Sequence, residues 1–413
     1  MKKYCLIGGK LGHSYSAEIH AEFGYVYDLV ELTSQELKAF VEASEYDGFN
    51  VTIPYKKEIM KYLDVIDPQA LEIGAVNTVK YKEGKSYGYN TDFYGMEYVL
   101  QSQSISLADK KVVILGSGGT SNTAFALAQA KKAQKIVVVS RNGIDNYENI
   151  SKHYDAQVII NTTPVGMYPN NGNKIIDITS FTELESVVDA IYNPLLTPLL
   201  LDAKKSGKKY ASGLAMLVAQ AKFAKDIFLE QETDLKEIAT IYKKLLLKTV
   251  NIVLIGMPSS GKTTIGKELA KEFNKKFVDI DKEIEKAFGK SVSAIFAEDG
   301  EKAFRAVESE MLIKFGKEKG QIISTGGGAI TGENAYCVLK QNGIIVYLTR
   351  DLKKADVYGR PLLEKDALNV LKKLYNERRS LYIGSADIVA DNNGEIATTV
   401  QFIKEQIYEN IGD

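Results

Sequence analysis

The chain has 413 residues, a length that at roughly 100 to 200 residues per domain predicts about two to four domains. Hydrophobic residues make up 45% and charged residues 25%, which is typical of a globular protein with buried cores and excludes collagen-like and disordered chains. Lys and Arg (52) balance Asp and Glu (53), so the net charge of -1 gives no overall positive field for nucleic acid or an anionic membrane.

The first predicted strand, Cys5–Ile7, runs into Gly8 and indicates the start of an α/β unit. Four polar segments follow, and they carry the hydroxyls, amides, single Lys and single Asp needed to bind a small polyol acid and move one proton. They are GHSYS (12–16), NVTIPYK (50–56), GAVNT (74–78) and GYNTD (88–92).

Lys56 and Asp92 are the candidate catalytic residues of this region. Pro54 ends a predicted strand, so Lys56 should lie in the turn just beyond a carboxyl end, where α/β folds keep their ligands. A Lys oriented by an Asp can give a proton to the alkoxide that hydride attack creates. The alternatives are that Lys56 is an ordinary surface charge and that Asp92 only caps a helix.

A dinucleotide site is predicted at the second start. The strand Val112–Leu115 runs into Gly116-Ser117-Gly118-Gly119-Thr120-Ser121 and then a helix, so that Gly116 makes the turn and Gly118 admits a pyrophosphate. The next strand, Ile136–Val139, ends in Ser140-Arg141-Asn142, where a guanidinium can pair with a 2'-phosphate, and this favours NADP(H) over NAD. The alternatives are an ordinary glycine-rich turn and a solvated arginine.

These motifs, followed by NTTPVGM (161–167), YNPLLTPLL (192–200) and GLAMLVAQA (213–221), resemble shikimate dehydrogenases in sequence and order over residues 4–247. The resemblance implies that Lys56 and Asp92 are catalytic. It implies a shikimate pocket lined by Ser14, Ser16, Asn50, Thr52, Asn77, Asp92, Tyr192 and Gln220. The predicted NADP(H) contacts are Gly116, Ser117, Gly118, Gly119, Thr120, Ser140, Arg141, Asn142 and Thr162, with Met167 and Gly213 near the nicotinamide.

The same resemblance implies a fold with an α/β substrate domain at residues 1–95, completed by returning helices at 213–247, and a Rossmann NADP-binding domain at 96–212. The chain departs from the family at Ala17 and Ala21, where Pro and Asn are usual, and at Asn122, where Arg is frequent. The usual Asn and Thr around the 2'-phosphate arginine are Ser140 and Asn142. These changes leave fewer groups to hold the extra phosphate.

The third start is a phosphate loop. The segment Gly256–Thr263 fits G-x-x-x-x-G-K-[ST] between the strand Ile252–Ile255 and a helix. Loop residues would cradle ATP, Lys262 would reach its β- and γ-phosphates, and Thr263 would hold Mg²⁺. The predicted nucleotide contacts are Ser259, Ser260, Gly261, Lys262, Thr263 and Thr264. An amphipathic helix at 235–248 places the domain boundary near residue 249, with a very short linker.

Further polar groups of this half predict phosphoryl transfer to a small anionic acceptor. The segment Phe277–Asp281 is predicted to end a second strand with Asp279 and Asp281 on the same side, one for Mg²⁺ and one for an acceptor hydroxyl. The other candidates are Arg305, the glycine turn Gly326–Gly328, Arg360 and Arg378. Each arginine taken alone could be a surface charge, whereas three glycines after a strand indicate a close ligand.

Residues 251–413 resemble shikimate kinases, which implies a parallel α/β fold of the nucleoside-monophosphate-kinase type at 250–413. By this resemblance Asp281, Arg305, Gly326, Gly327, Gly328 and Arg378 hold shikimate, with Lys262 and Asp281 catalytic. Asp279 and Thr263 would lie by Mg²⁺, and Arg360 would lie on a lid over ATP.

The sequence therefore predicts a bifunctional α/β enzyme of aromatic amino acid biosynthesis that reduces 3-dehydroshikimate with NADPH and phosphorylates shikimate with Mg·ATP. The alternatives are an NAD-linked quinate/shikimate dehydrogenase fused to a kinase, and a non-catalytic sensor that keeps both pockets. Two distant cysteines, Cys5 and Cys337, and the lack of a signal sequence or apolar span predict a cytoplasmic protein without membrane or nucleic-acid partners. The oligomeric state is left open.

Overall fold

The computed structural model describes residues 2–12, 14–232, 234–354 and 367–412. The chain divides into two compact units, residues 1–242 and 243–413. The strands are β1 (Tyr4–Gly8), β2 (Tyr27–Glu31), β3 (Gly48–Val51), β4 (Val65–Ile66), β5 (Thr78–Lys82), β6 (Lys85–Tyr89), β7 (Lys111–Leu115), β8 (Lys135–Val139), β9 (Val158–Asn161), β10 (Ser186–Asp189), β11 (Lys209–Ala211), β12 (Asn251–Ile255), β13 (Lys276–Asp279), β14 (Gln321–Ser324), β15 (Gly343–Thr349) and β16 (Ile388–Asp391).

Helices connect most of these strands, as expected of α/β units. They are α1 (Ser16–Glu22), α2 (Ser34–Ala43), α3 (Pro68–Ile73), α4 (Thr91–Ser102), α5 (Gly119–Ala130), α6 (Pro198–Lys205), α7 (Gly213–Leu229), α8 (Lys236–Thr249), α9 (Lys262–Glu272), α10 (Ile280–Phe288), α11 (Val292–Glu298), α12 (Gly300–Lys317), α13 (Ala335–Lys340), α14 (Ala367–Ser385) and α15 (Ile396–Gly412). Short 3-10 segments lie at Ile59–Tyr62, Ile150–His153, Ile178–Ser180, Ala329–Thr331 and Leu352–Lys354.

The first sheet of unit 1 is mixed and has the order β2-β1-β3-β5-β6-β4. Strands β1, β2 and β3 are parallel, so their carboxyl ends meet at one edge. Strands β5 and β6 form an antiparallel hairpin through Glu83 and Gly84, both with positive φ (52° and 73°), as a type I′ turn requires. The predicted strand around Cys5–Ile7 is confirmed as β1, which is buried along its whole length.

The second sheet of unit 1 is fully parallel, with the order β11-β10-β9-β7-β8. Its strands are short apolar runs, because helices cover a parallel sheet on both faces. After β11 the chain enters α7, which packs on α4 of the first region. The approach is close, since a Cβ on Gly95 of α4 would lie 2.9 Å from the Met216 carbonyl oxygen of α7.

Unit 2 is built on a third parallel sheet, with the order β13-β14-β12-β15-β16. The boundary between the units falls within α8, the helix that the sequence predicts at 235–248. The finer division of unit 1 into substrate and cofactor domains stays a prediction. Across the described residues, every helix is too short or too polar to cross a membrane.

Candidate active sites

Lys56 and Asp92 form an ion pair in unit 1. Lys56 lies in the turn that follows β3, and its Nζ donates to Asp92 Oδ2 at 2.6 Å. The two side chains are only 18% and 8% exposed, so Lys56 is not an ordinary surface charge. Asp92 does not cap α4 either, because the Asn90 side chain accepts from the Phe93 N–H. The carboxylate is therefore left to orient the ammonium.

A buried network of amides and hydroxyls includes Thr91, the neighbour of Asp92 in the chain. Asn77 Oδ1 accepts from the Thr91 N–H at 2.7 Å and from the Thr78 hydroxyl at 3.0 Å. Its Nδ2 donates to the Thr91 hydroxyl at 3.0 Å and to Gln220 Oε1 at 3.5 Å. Asn50 Nδ2 donates into the same network at Thr78. Helix α7 thus contacts this network through Gln220, although Gln220 lies far along the chain from the other residues of the network.

The remaining predicted substrate residues lie at the ends of three elements. The Ser14 hydroxyl donates to the Ser16 hydroxyl at 3.1 Å at the start of α1. Thr52 follows β3, and its N–H donates to the Ile7 carbonyl at 2.9 Å. The Tyr192 ring lies 5.8 Å from that of Tyr15, and burial raises the pKa of Tyr192. Their roles in binding substrate stay predictions.

The glycine loop between β7 and α5 has the geometry of a dinucleotide site. Gly116 has a φ of 113°, and a Cβ there would lie 2.7 Å from Thr162 Oγ1. Gly118 faces open space, with no heavy atom within 4 Å of a Cβ position. Gly119 opens α5, and a Cβ on it would lie 4.0 Å from Lys56 side-chain carbons. The loop with Ser117 and Thr120 therefore leaves room for a pyrophosphate beside Lys56, and it fits the predicted NADP(H).

The other predicted cofactor residues lie on later segments of unit 1. Ser140, Arg141 and Asn142 follow β8, and Arg141 is exposed. Its positive charge opposes the rise that burial causes in the pKa of Tyr147. Met167 is 43% exposed. Gly213 begins α7, and a side chain there would overlap the Ala190 carbonyl. Packing therefore requires a glycine at this position, whether or not a cofactor binds beside it.

In unit 2 the phosphate loop joins β12 to α9. Gly256 and Gly261 have φ values of 147° and 93°, and Ser259 also has a positive φ of 66°. Lys262 Nζ donates to the Gly256 and Met257 carbonyls at 2.9 Å each. Asn392, just after β16, donates a hydrogen bond to the Ser260 carbonyl of the loop at 2.8 Å. The glycines thus allow the turns of the loop, and the hydrogen bond from Asn392 holds the loop in position.

Thr263 and Asp279 are close enough to serve one metal ion. The Thr263 hydroxyl donates to Asp279 Oδ2 at 2.8 Å, and Thr264 follows on the exposed side of α9. This oxygen pair beside a phosphate loop fits Mg²⁺, which is usually held by few protein oxygens and by phosphates. One prediction is wrong in detail: β13 ends at Asp279, and Asp281 lies in the first turn of α10 rather than on the strand.

The glycine turn Gly326–Gly328 lies against the residues that are predicted to bind the phosphoryl acceptor, because each glycine admits a different neighbour. A Cβ on Gly326 would lie 2.9 Å from Asp281 Oδ1 and 2.7 Å from Glu308 Oε1. One on Gly327 would lie 2.8 Å from Pro258 of the phosphate loop, and one on Gly328 would lie 2.6 Å from Arg305 Nη1. The turn therefore touches the phosphate loop and the acceptor residues at once.

Arg305 and Arg378 approach this turn from different helices. Arg305 Nη1 on α12 donates to Glu308 Oε2 at 2.6 Å. Arg378 Nη1 on α14 donates to the Gly327 carbonyl at 3.1 Å, so the predicted residue Arg378 lies at the turn. Burial raises the pKa of Glu308, although Arg305 opposes the rise. Arg360 lies outside the described residues.

The sequence reasoning missed three residues that form hydrogen bonds with predicted site residues. The Tyr382 hydroxyl also donates to the Gly327 carbonyl, and its ring stacks on Tyr347 at 5.0 Å. Tyr27 donates to Asn50 Oδ1, and Asn392 holds the phosphate loop. Tyr382 lies four residues after the predicted site residue Arg378, in the segment Arg378-Arg379-Ser380-Leu381-Tyr382, and could have been proposed from that segment. Tyr27 and Asn392 lie in no motif and become visible only in three dimensions.

A cavity of about 320 Å³ lies beside the phosphate loop at the carboxyl end of β15. Met257, Arg350 and Asn393 are among its lining residues. The Arg350 Nη1 is 3.7 Å from the Cβ position of Gly261, which places a positive charge beside the loop. The cavity extends the space around the phosphate loop.

Comparison with known proteins identifies both halves. The family model for the shikimate dehydrogenase substrate binding domain matches residues 6–79, and the model for shikimate kinase matches residues 258–411. A shikimate dehydrogenase (NADP(+)) of Clostridium perfringens is 36% identical over 267 residues, which span 59% of this chain and 98% of the relative.

Solved structures agree with the sequence matches. Shikimate dehydrogenase 1 of Peptoclostridium difficile is 36% identical with a TM-score of 0.56, over 60% of this chain and 98% of that chain. A chorismate mutase/shikimate 5-dehydrogenase fusion protein of Clostridium acetobutylicum is 36% identical with a TM-score of 0.57, over 59% of this chain and 97% of that chain.

Proposed function

The chain belongs to the shikimate dehydrogenase family and continues into a shikimate kinase region, and we propose that it catalyses two consecutive reactions. The first is the NADPH-dependent reduction of 3-dehydroshikimate to shikimate. The second is the ATP-dependent phosphorylation of shikimate to shikimate 3-phosphate. The product of one half is thus the substrate of the other, in the pathway to the aromatic amino acids.

The first activity rests on the buried Lys56–Asp92 pair beside the Gly119 loop. When bound, NADPH supplies the hydride. Lys56 then gives the proton to the substrate oxygen, and Asp92 holds its ammonium in place. Ser14, Asn77 and Gln220 are proposed to bind the hydroxyls and carboxylate of the ring. Arg141 is proposed to pair with the 2'-phosphate of the cofactor. Since NADH lacks this phosphate, the pairing would favour NADPH over NADH.

The second activity rests on the contact of the glycine turn with both the phosphate loop and the acceptor residues. When bound, Mg·ATP supplies the phosphoryl group. Asp281 is proposed to accept the hydrogen bond of the attacking hydroxyl, while Arg305 and Arg378 hold the carboxylate of shikimate. Lys262 neutralises phosphate charge, and Thr263 with Asp279 holds the metal ion.

One coupled assay tests the proposal. Purified protein is incubated with 3-dehydroshikimate, NADPH, Mg²⁺ and ATP, while NADPH absorbance and shikimate 3-phosphate mass are followed. We expect NADPH consumption without ATP and shikimate 3-phosphate only with ATP. Tight binding of both small molecules without turnover would instead establish the sensor alternative. In a separate assay of shikimate or quinate oxidation, faster turnover with NAD⁺ than with NADP⁺ would establish the NAD-linked alternative.

A cytoplasmic location is part of the proposal. Among the described residues, neither Cys5 nor Cys337 forms a disulfide bond, which fits a reducing compartment. NADPH and ATP are the proposed cofactors, and the proposed partners are small molecules only. Fractionation of cells that express the chain would check the location.

A further inference from the structure

We propose that Tyr27 is a positioning residue of the dehydrogenase pocket, which orients the Asn50 amide and, through it, the polar network around Asn77. The inference rests on the proposed dehydrogenase function. Tyr27 lies on β2, the outer strand of the first sheet, and it belongs to none of the motifs that predict the pocket.

The contact between Tyr27 and Asn50 crosses a strand. In the parallel register, Tyr27 pairs with Tyr4 of β1, and Asn50 of β3 pairs with Leu6 of the same strand. The Tyr27 side chain spans β1, and its hydroxyl donates to Asn50 Oδ1 at 2.6 Å. Tyr27 is 7% and Asn50 4% exposed, so water does not readily replace this bond.

Hydrogen-bond direction makes the orientation specific. Asn50 Nδ2 donates to the Asn77 main-chain carbonyl at 3.2 Å, and a carbonyl can only accept. The amide nitrogen must therefore face Asn77, which turns Oδ1 towards Tyr27. The same nitrogen donates to the Thr78 hydroxyl at 2.9 Å, and that hydroxyl in turn donates a hydrogen bond to Asn77 Oδ1 at 3.0 Å. The Asn77 nitrogen is then left facing Thr91 and Gln220.

His20 holds Tyr27 in place. Its ring stacks on the Tyr27 ring with a centroid distance of 3.9 Å and an interplanar angle of 7°. Its Nδ1 is hydrogen-bonded to the Tyr25 hydroxyl. Burial lowers the pKa of His20 to about 3 and raises that of Tyr27, so both rings are neutral at physiological pH. Tyr27 remains a phenol with a proton to donate.

The decisive comparison is Tyr27→Phe against Tyr81→Phe in the full chain. Each variant removes one tyrosine hydroxyl from the first sheet, but the Tyr81 hydroxyl donates to the Val41 carbonyl and only Tyr27 contacts Asn50. We expect Tyr27→Phe to raise the KM for shikimate about tenfold, because a buried carbonyl oxygen loses its donor and the amide is free to turn. The KM for NADP⁺ should stay unchanged. Tyr81→Phe should leave both constants near the wild-type values.

A double-mutant cycle separates positioning from general damage. If Tyr27 acts through Asn50, Tyr27→Phe should add nothing in an Asn50→Ala background. An equal loss in both backgrounds would overturn the proposal. So would a KM for shikimate within about twofold of wild type in Tyr27→Phe, or a similar rise in Tyr81→Phe. The unfolding temperatures of the two variants show whether they lose similar stability.

The result differs if the proposed dehydrogenase function itself is wrong. The wild-type protein would then show no NADPH-dependent turnover at all. In that case, shikimate binding by titration calorimetry, in a background carrying Arg305→Ala and Arg378→Ala to disable the kinase acceptor site, gives the same comparison. Tyr27→Phe should weaken binding about tenfold there, and unchanged binding would overturn the positioning role.

Discussion

The Lys56 ammonium lies 2.6 Å from Asp92 Oδ2, although 36 positions separate the two residues in the chain. Lys56→Ala should reduce the dehydrogenase rate at least about a hundredfold, since general acid catalysis is worth that much. Phosphorylation of added shikimate should stay normal. Lys57→Ala, which changes the exposed neighbour, is the matched control. A dehydrogenase rate within about threefold of wild type in Lys56→Ala would remove Lys56 from the mechanism.

Lys262→Ala should silence the kinase alone. The lysine is buried and contacts two loop carbonyls, whereas Lys267 lies on the exposed side of the same helix. We expect kinase turnover to fall at least about a hundredfold, because the phosphate charge loses its counter-ion. Lys267→Ala should be close to wild type. Loss of both enzyme activities in Lys262→Ala would indicate a folding defect instead.

Arg141→Ala should change cofactor choice. Removing the guanidinium should raise the KM for NADPH about tenfold and leave the KM for NADH almost unchanged, because only NADPH carries the 2'-phosphate. Lys135→Ala, at the other end of β8, controls for a general loss of positive charge. The prediction fails if wild-type protein uses NADH and NADPH equally well.

Gly328→Ala should impair the kinase without unfolding it. Gly328 has a φ of -103°, which any residue can adopt, but its Cβ would lie 2.6 Å from Arg305 Nη1. Arg305 must swing aside, and the KM for shikimate should rise about tenfold or more. Gly384→Ala, where a Cβ meets nothing within 4 Å, is the control. An unchanged KM for shikimate would show that Arg305 does not need its position beside Gly328 to bind the substrate.

Asp189 should make stability depend on pH. Burial raises its pKa from 3.8 to about 6, although Thr197, Ile191 and Asn161 donate hydrogen bonds to it. A folded state that binds this proton more tightly gains stability as pH falls below about 6. Asp189→Asn should therefore stabilise the protein by about 1–2 kcal/mol at pH 7.5 and by less at pH 5. Thermal unfolding at both pH values measures this, and an advantage that grows on acidification would contradict it.

Much of this arrangement was predictable from local sequence. Gly116 and Gly256 could be assigned to turns because strand, glycine and helix follow one another directly, and the structure gives both a positive φ. The Lys56–Asp92 pair was predictable because both residues stand in recognisable motifs. Asp281 was misplaced because strand alternation was extended past Asp279, whereas the backbone turns helical at Ile280.

The contacts that could not be predicted from the sequence are those that join residues on different strands and loops of a sheet. Tyr27 reaches Asn50 only because β2 pairs with β1 and β1 with β3, and pairing order is a property of the whole sheet. Asn392 meets the phosphate loop because β16 lies beside β15, although it stands far along the chain from Ser260. Such neighbours follow from topology and not from spacing.

The hydrogen bond from Asn77 to Gln220 sets an order of events during synthesis of the chain. Strands β1–β6 and α4 leave the ribosome first, but the pocket they carry lacks one wall until α7 has been made and packs on α4. Every strand of the second sheet is made within that interval. Because contacts far apart in sequence must wait for the later partner, we expect the proposed substrate pocket to be among the last features of unit 1 to be completed as the nascent chain emerges.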